Sequence, residues 1–445
     1  MAKYDPRAVI LAGGKGERLE SLVADRVKPA VPFGGKYRIM DFIVSNLYNS
    51  KILLVDVLTQ GNTLSLQKHL EEGAMRIFGN GPHNRLSILH SNQGDLGEKF
   101  VGTADAVWQM RERFNNGYNP IMVLPGDHVC FMEMDDFGRT HYNSGAELTV
   151  CAKPVSISLA AKQYGVLVVD KSNKVIGFEE KPENPTPIPG QPEMCLASMG
   201  IYAFQKIPLL EALALDQRKI RVAKRSEVTD PNAMSTRDFG NDIIPHMLRH
   251  GHDVMAYDFS KNEVPGMENS DRDYWRDLGL PDEYFDGSMD VCSVKPPLNL
   301  YDPRWPIHTQ SPSLPPAKFV HGGMHIDSVI GDGSIISGAN IISSVISYNI
   351  RAHRGSHIEN SIIFEGVDIG RGARIEGGII DKNVRIPKGM TLNADVAKGL
   401  PPRVDKYWVD GKEVEVIIPV TVTPKGRFVI PKWYVFPGQE AAPRW

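Results

Sequence analysis

The stretch AVILAGGKGERLESLVADRVKPAVPFGGKYRIMDF, Ala8 to Phe42, decides how this chain is read. It opens with an apolar run of strand length, Ala8–Leu11, and turns on Gly13, Gly14 and Gly16. Arg18 follows, then Lys28 just before Pro29. Glycines let backbone N–H groups approach a polyanion because no Cβ stands in the way. A strand, a bare-backbone loop and two cations together point to a nucleotide polyphosphate. Two common phosphate motifs are excluded. No G-x-x-x-x-G-K-[ST] run exists, and Leu19 stands where the dinucleotide fingerprint needs its third glycine.

Composition narrows the function classes. A chain of 445 residues predicts two or three domains. Apolar content of 42% and charged content of 23% are those of an ordinary globular protein. The formal net charge of −3 argues against a nucleic-acid coat, so any phosphate site must be a local arrangement of cations. The four cysteines, Cys130, Cys151, Cys195 and Cys292, form no C-x-x-C pair. A zinc ribbon or disulfide framework is therefore not expected, and a reducing cytoplasm is. The N-terminal apolar run is too short for a signal peptide, and no stretch approaches the roughly 18 apolar residues of a membrane span.

Further strand-like runs lie at Ile52–Leu58, Ile121–Leu124, Leu148–Cys151 and Ile201–Phe204, with helix-compatible segments such as Phe42–Ser50 and Ala104–Phe114 between strands. This alternation predicts an α/β fold with a mainly parallel sheet and a ligand site at the carboxyl ends of its strands. Gly79–Val101 reads as a long irregular stretch, Pro182–Pro192 as a surface excursion, and Gln217–Asn241 as a polar loop with a short helix. Residues 295–316 are proline-rich and predict an extended connector. From Val320 the period changes. Ile330, Ile336 and Ile342 are six apart, as are Ile369 and Ile375, and Ile380 and Ile386. That repeat predicts a parallel β-helix. The register breaks near Arg351–Ser356, where a turn or loop insertion is expected. In the tail, Val414–Val422 and Arg427–Phe436 flank Thr423–Gly426 as a hairpin, with Pro419 and Pro431 at edge positions.

Three charged residues join the opening stretch. Asp127, in IMVLPGDH, follows a strand at the exposed sheet edge, although a turn aspartate is the plainer reading. Asp277, in YWRDLG, is a second carboxylate that with Asp127 could hold a hard cation such as Mg²⁺. Lys181, in FEEKP, is held extended by Pro182, beside Glu179 and Glu180. The pairs His321/His325 and His353/His357 lie in or beside the glycine-rich repeat, where helix is not expected, so metal binding is not read from them. Asp238-Phe239-Gly240 is not a kinase element, because no catalytic loop accompanies it.

LAGGKGERL, KPAVPFGGKYRIMDF, GTADAV, LPGDH, FEEKP, LASMGIYAF, YWRDLG, NLYDPRWPI with LPPAKFV, and the hexad repeat occur in that order. Together they closely resemble the glucose-1-phosphate adenylyltransferases, over roughly residues 7 to 395. The resemblance implies a Rossmann-like nucleotidyltransferase domain at 1–285, a proline-rich linker at 286–319, a left-handed β-helix at 320–395 and a strand-rich extension at 396–445. It implies transfer of AMP from ATP to glucose 1-phosphate with Mg²⁺, giving ADP-glucose for glycogen synthesis, in a cytoplasmic homotetramer without nucleic-acid or membrane partners. By position, Arg18, Lys28 and Asp127 take the catalytic roles, and Asp127 with Asp277 the metal. Leu11, Ala12, Gly13, Gly14 and Gly16 meet the nucleotide. Phe100, Gly165, Glu180, Lys181 and Ser198 meet the substrate, and Gln60 matches a residue of allosteric signalling.

The chain also departs from that pattern. Phe100-Val101 stands where an aromatic-arginine pair, usually Tyr-Arg, precedes GTADAV. Glu20-Ser21-Leu22-Val23 replaces the usual run after the loop arginine, and Asp25 stands where activator-binding members place a lysine. The usual PAQQ run is missing before Phe100, and the tail after Ala397 is long. Loss of cations weakens the expectation of sugar-bisphosphate activation. Three alternatives remain: a transferase for another base or sugar, a regulatory non-catalytic subunit, and an acyltransferase built on the hexad repeat. Arg18, Lys28, Asp127, Lys181 and Asp277 speak against the second, and the shortness of the repeat against the third.

Overall fold

A computed structural model describes residues 4–14, 16–91, 99–114, 117–171, 174–268, 272–409 and 412–439. Its centre is a nine-stranded sheet with Arg7–Leu11 in the middle. That strand runs parallel to Leu54–Thr59 on one side and Ile121–Pro125 on the other. Its side chains alternate between two cores, as the period of a strand requires. Ala8 and Ile10 pack with helix Ile39–Asn49, while Val9 packs with helices Thr103–Gln109 and Lys206–Gln217. Burial on both faces explains the uninterrupted apolar run. Beyond Ile121–Pro125, the long strand Met194–Phe204 runs antiparallel to each of its neighbours.

Two local expectations change. Within Gly79–Val101, Arg85–His90 is an edge strand parallel to Leu54–Thr59; residues 92–98 lie outside the described residues. Arg85-Leu86-Ser87-Ile88 alternates, but Leu89-His90 breaks the pattern, which an edge position tolerates. The helix expected over Ala104–Phe114 ends at Gln109 and continues only as a 3₁₀ turn, Arg111–Phe114.

The connector packs along helix Ile39–Asn49. Leu298, Trp305 and Ile307 are buried, and the Trp305 indole N–H donates to Asn46 Oδ1 at 3.0 Å. Beyond it, three parallel sheets stack as a left-handed β-helix. Its columns are Ile336–Ala352–Ile369–Ile386, Ile341–Ile358–Ile375–Leu392 and Ile346–Ile363–Ile380–Ile430. The six-residue spacing holds from Ile330, which stacks on Ile346, to Ile336, and again from Ile369 to Ile375 and from Ile380 to Ile386; Ile342 alone falls outside the columns and is half-buried. At Arg351–Ser356 no loop is inserted. Ile336 stacks on Ala352 and Ile341 on Ile358, so the coil lengthens by a single residue there.

The tail is not an appendage. Phe428–Ile430 pairs in parallel with Gly378–Ile380 and supplies the third side of the last coil. The expected hairpin forms only in part. Thr421–Val422 does turn back on Phe428–Ile430, but Lys412–Ile418 pairs instead with Arg403–Val409. Residues 403–409 carry an alternating strand pattern, RVDKYWV, that competes for the same partner.

Candidate active site

A cleft of about 370 Å³ opens at the carboxyl edge of the parallel strands. It is lined by Gly14, Gly16, Lys28, Asp127, Glu180 and Lys181, among others. Backbone bonds bring its loops together: Gly126 N donates to Leu11 O at 3.0 Å, and Ala12 N to Leu58 O at 2.9 Å. Gly16 has φ +66°, and a Cβ there would lie 2.8 Å from Lys28 Cβ. The glycine loop is therefore packed on the lysine stem, and only a residue without a side chain fits.

Lys28 is buried, and its ammonium donates at 2.9 Å to both Asp127 Oδ2 and Asp277 Oδ1. The two carboxylates are 150 residues apart in sequence, and a short strand pair unites them. Trp275–Arg276 runs antiparallel to Val129–Cys130, which sets Asp277 beside Asp127. Burial favours the neutral form of Asp277, but a hydrogen bond from His128 and the Lys28 charge outweigh it. The carboxyl is held well below its ordinary range. Burial likewise opposes the Lys28 charge, and the two carboxylates overcome it, raising the lysine above its ordinary value.

His128 was not anticipated from the sequence. The Trp275 indole N–H donates to its Nδ1 at 3.2 Å. An indole can only donate, so Nδ1 is unprotonated and the neutral ring carries its proton on Nε2. Nε2 lies 3.5 Å from Asp277 Oδ1 and 3.8 Å from Asp127 Oδ1. His128 thus offers the carboxylates a proton, not a lone pair. The donor set for a cation is the oxygens of Asp127 and Asp277, which are partly exposed to the cleft and suit a hard divalent ion.

At the far end of the cleft, Glu180 pairs in register with Gly165. Its Oε2 would be 3.0 Å from a Cβ on Gly165 and 2.7 Å from one on Gly240. Burial, and then the charge of Asp238, push the Glu180 carboxyl above its usual value; Lys181 partly offsets this. Lys181 is not extended as Pro182 leads us to expect: it takes a left-handed conformation, φ 47°, and its Nζ lies 3.9 Å from Glu180 Oε1. Ser198 accepts from Gly200 N at 3.3 Å, where the pairing of its strand shifts register.

Asp238-Phe239-Gly240, set aside as a motif, lines this cleft. Asp238 caps the turn Phe239–Ile243 by accepting from Gly240 N and Asn241 N, and it accepts from Thr103 Oγ1 at 2.8 Å. The signal available in sequence was an N-cap aspartate followed by glycine in a polar loop.

The remaining expected residues lie elsewhere around the glycine loop. Phe100 and Gln60 line a neighbouring cavity of about 550 Å³ with Gly13, Glu17 and Lys99, not the cleft of Glu180 and Lys181. Arg18 is exposed and lies over Gly279, where a Cβ would come 2.9 Å from its Nη2. Of the histidines of the repeat, His353 meets Asp368 at 3.0 Å, His357 meets Glu359 at 2.9 Å, and the His325 ring packs on Phe319.

Comparison with known proteins shows what this chain is similar to. The sequence model of the Nucleotidyl transferase family matches residues 7–294, and that of the GlmU-like, C-terminal hexapeptide matches residues 315–401. Glucose-1-phosphate adenylyltransferase 2 of Pseudoalteromonas atlantica is 42% identical over 355 residues, 78% of this chain and 80% of its own. Glucose-1-phosphate adenylyltransferase of Thermus thermophilus is 40% identical over 364 residues, 79% of this chain and 84% of its own. The protein of that name from Mycolicibacterium gilvum is 40% identical over 350 residues.

Proposed function

This chain belongs to the nucleotidyl transferase family and, within it, to the glucose-1-phosphate adenylyltransferases, and from that premise we propose that it makes ADP-glucose from ATP and glucose 1-phosphate. The observation that carries the reading is the convergence of Lys28, Asp127 and Asp277 beside the glycine loop, with Lys181 in the same cleft. A phosphate oxygen of glucose 1-phosphate attacks the α-phosphorus of ATP, the bond to the β-phosphate bridging oxygen breaks, and pyrophosphate leaves. No protein nucleophile is required, so catalysis is positioning and charge neutralisation.

The glycine loop Leu11–Gly16 presents backbone to the nucleotide. Lys28, already ordered by two carboxylates, and Arg18 face the phosphates. Lys181 holds the sugar phosphate and Glu180 a sugar hydroxyl, while Gly165 and Gly240 leave room for the Glu180 carboxylate. Asp127 and Asp277 fit Mg²⁺, which when bound neutralises phosphate charge. Ser198 completes the sugar side, and Phe100 and Gln60 flank the nucleotide side. The product feeds glycogen synthesis, and the assembly is a homotetramer. Among the described residues no helix is long and apolar enough to cross a membrane.

The test is pyrophosphate release across a grid of nucleoside triphosphates and sugar 1-phosphates with Mg²⁺. Turnover highest with ATP and glucose 1-phosphate is expected. No turnover with any pair overturns the reading, and preference for another pair corrects the substrate.

A further inference from the structure

The segment between Arg18 and Lys28 carries the unusual residues Glu20, Ser21 and Asp25, and the structure shows what they touch. Glu20 sits at φ 50°, ψ −122°, a positive-φ conformation that a non-glycine residue keeps only where its surroundings hold it. The Thr421 hydroxyl donates to Glu20 Oε2 at 2.7 Å. Its proton being used there, Ser21 Oγ is the donor in the 3.2 Å contact with Thr421. Asp25 takes a two-pronged bond from Arg403, 3.0 Å at each oxygen. Arg403 is itself fixed by Asp405 and the Lys432 carbonyl. Arg26 donates to both oxygens of the buried Asp381, at 2.8 and 2.9 Å.

Glu20, Ser21, Asp25 and Arg26 are thus tied to the last coil of the β-helix and the tail beyond it. The base of these ties is rigid, because Phe428–Ile430 is a strand of that coil. Two-pronged guanidinium–carboxylate bonds fix orientation as well as distance. We infer that the C-terminal region is a strut for the phosphate-binding segment, in which Arg403, Asp381 and Thr421 are positioning residues that hold Arg18 and Lys28 in place for the transfer step. The catalytic domain alone leaves the segment from Glu20 to Arg26 without these anchors. The polar residues that replace the family pattern there are matched to polar groups of the long tail.

This inference rests on the adenylyl-transfer reading, and its test uses intact protein with a readout independent of turnover. Asp25→Asn and Thr421→Val each remove one tie without removing bulk. Amide exchange in residues 19–27 is expected to quicken in both variants. The kcat is expected to fall roughly tenfold or more, as displacements of an ångström do, with the KM for glucose 1-phosphate unchanged. Arg403→Lys should recover part of what Arg403→Met loses, and adding Asp25→Asn to Arg403→Met should cost nothing further. Unchanged exchange in 19–27, or quickened exchange with wild-type kcat, overturns the strut. If the wild-type protein turns over no substrate pair, the functional reading fails, while the exchange measurement still decides whether the tail holds the segment.

Discussion

Replacing Lys28 by methionine separates the chemistry of the cleft from its architecture. Methionine has nearly the length and apolar bulk of the lysine stem, so the packing of Gly16 on that stem survives. What is lost is one ammonium, 2.9 Å from each of two carboxylates and buried at the mouth of the phosphate site. The structural cost is limited by exposure. The side chains of Asp127 and Asp277 are 32% and 22% exposed and regain water when the cation goes, so a stability loss of about 1–3 kcal/mol is expected. The catalytic cost is larger, because a preorganised charge aimed at phosphate acts most strongly in the transition state. Removal of one such donor costs roughly 10²–10³ in kcat, about 3–4 kcal/mol. The assay is initial-rate pyrophosphate release under saturating ATP and glucose 1-phosphate, with thermal melting measured alongside. A folded Lys28→Met enzyme with kcat within threefold of wild type would refute the reasoning. The ammonium would then be a structural counter-ion to the two carboxylates and nothing more.

Lys181→Ala should raise the KM for glucose 1-phosphate far more than that for ATP, since its ammonium lies beside Glu180 at the far end of the cleft; steady-state kinetics in both substrates check this, and equal effects would remove it from the sugar-phosphate site. Fructose 1,6-bisphosphate should activate weakly or not at all, because Asp25 is a carboxylate where the family resemblance leads us to expect a lysine in activator-binding members, and it is engaged by Arg403; activity titrated against the bisphosphate decides. The pH dependence of stability should carry a contribution from His141. Burial lowers its pKa from 6.5 to about 4, and its buried Nε2 finds no hydrogen-bond partner among the described residues. Between those two values only the unfolded chain takes up the proton, so stability present above pH 6.5 is lost as pH falls toward 4, by about 3 kcal/mol. Urea unfolding of His141→Asn across that range should show a correspondingly flatter profile.

The legible parts of this protein are those in which chemistry and local geometry coincide. The run Ala8–Leu11 followed by glycines announces a strand and a phosphate loop, because a doubly buried strand and a close backbone approach each demand specific residue types. The glycine-rich repeat announces a β-helix for the same reason: every coil must turn in few residues and bury one aliphatic side chain per face. Asp127 was visible as a carboxylate at a strand end. His128 was not, since its role depends on an indole donor from Trp275, far along the chain. The true coil length was obscured because an isoleucine also occurs outside the columns, at half-buried Ile342, and because successive columns are five or six residues apart. The edge strand Arg85–His90 was hidden because an edge needs no strict alternation.

The sequence by itself determined the α/β and β-helix classes, the glycine loop, and the set of charged residues from which a phosphate-transfer site is made. The tertiary structure alone decided which of those charges meet. Asp277 reaches Asp127 through a two-residue strand pair, Phe100 falls on the other side of the glycine loop from Glu180, and the tail completes the last coil while gripping Glu20 to Arg26. The physical reason is range. Backbone preference and burial pattern act between near neighbours and are written in consecutive residues. A salt bridge across 378 residues, such as Asp25 with Arg403, exists only because the fold brings the turn that holds Asp25 within 3.0 Å of the strand Arg403–Val409.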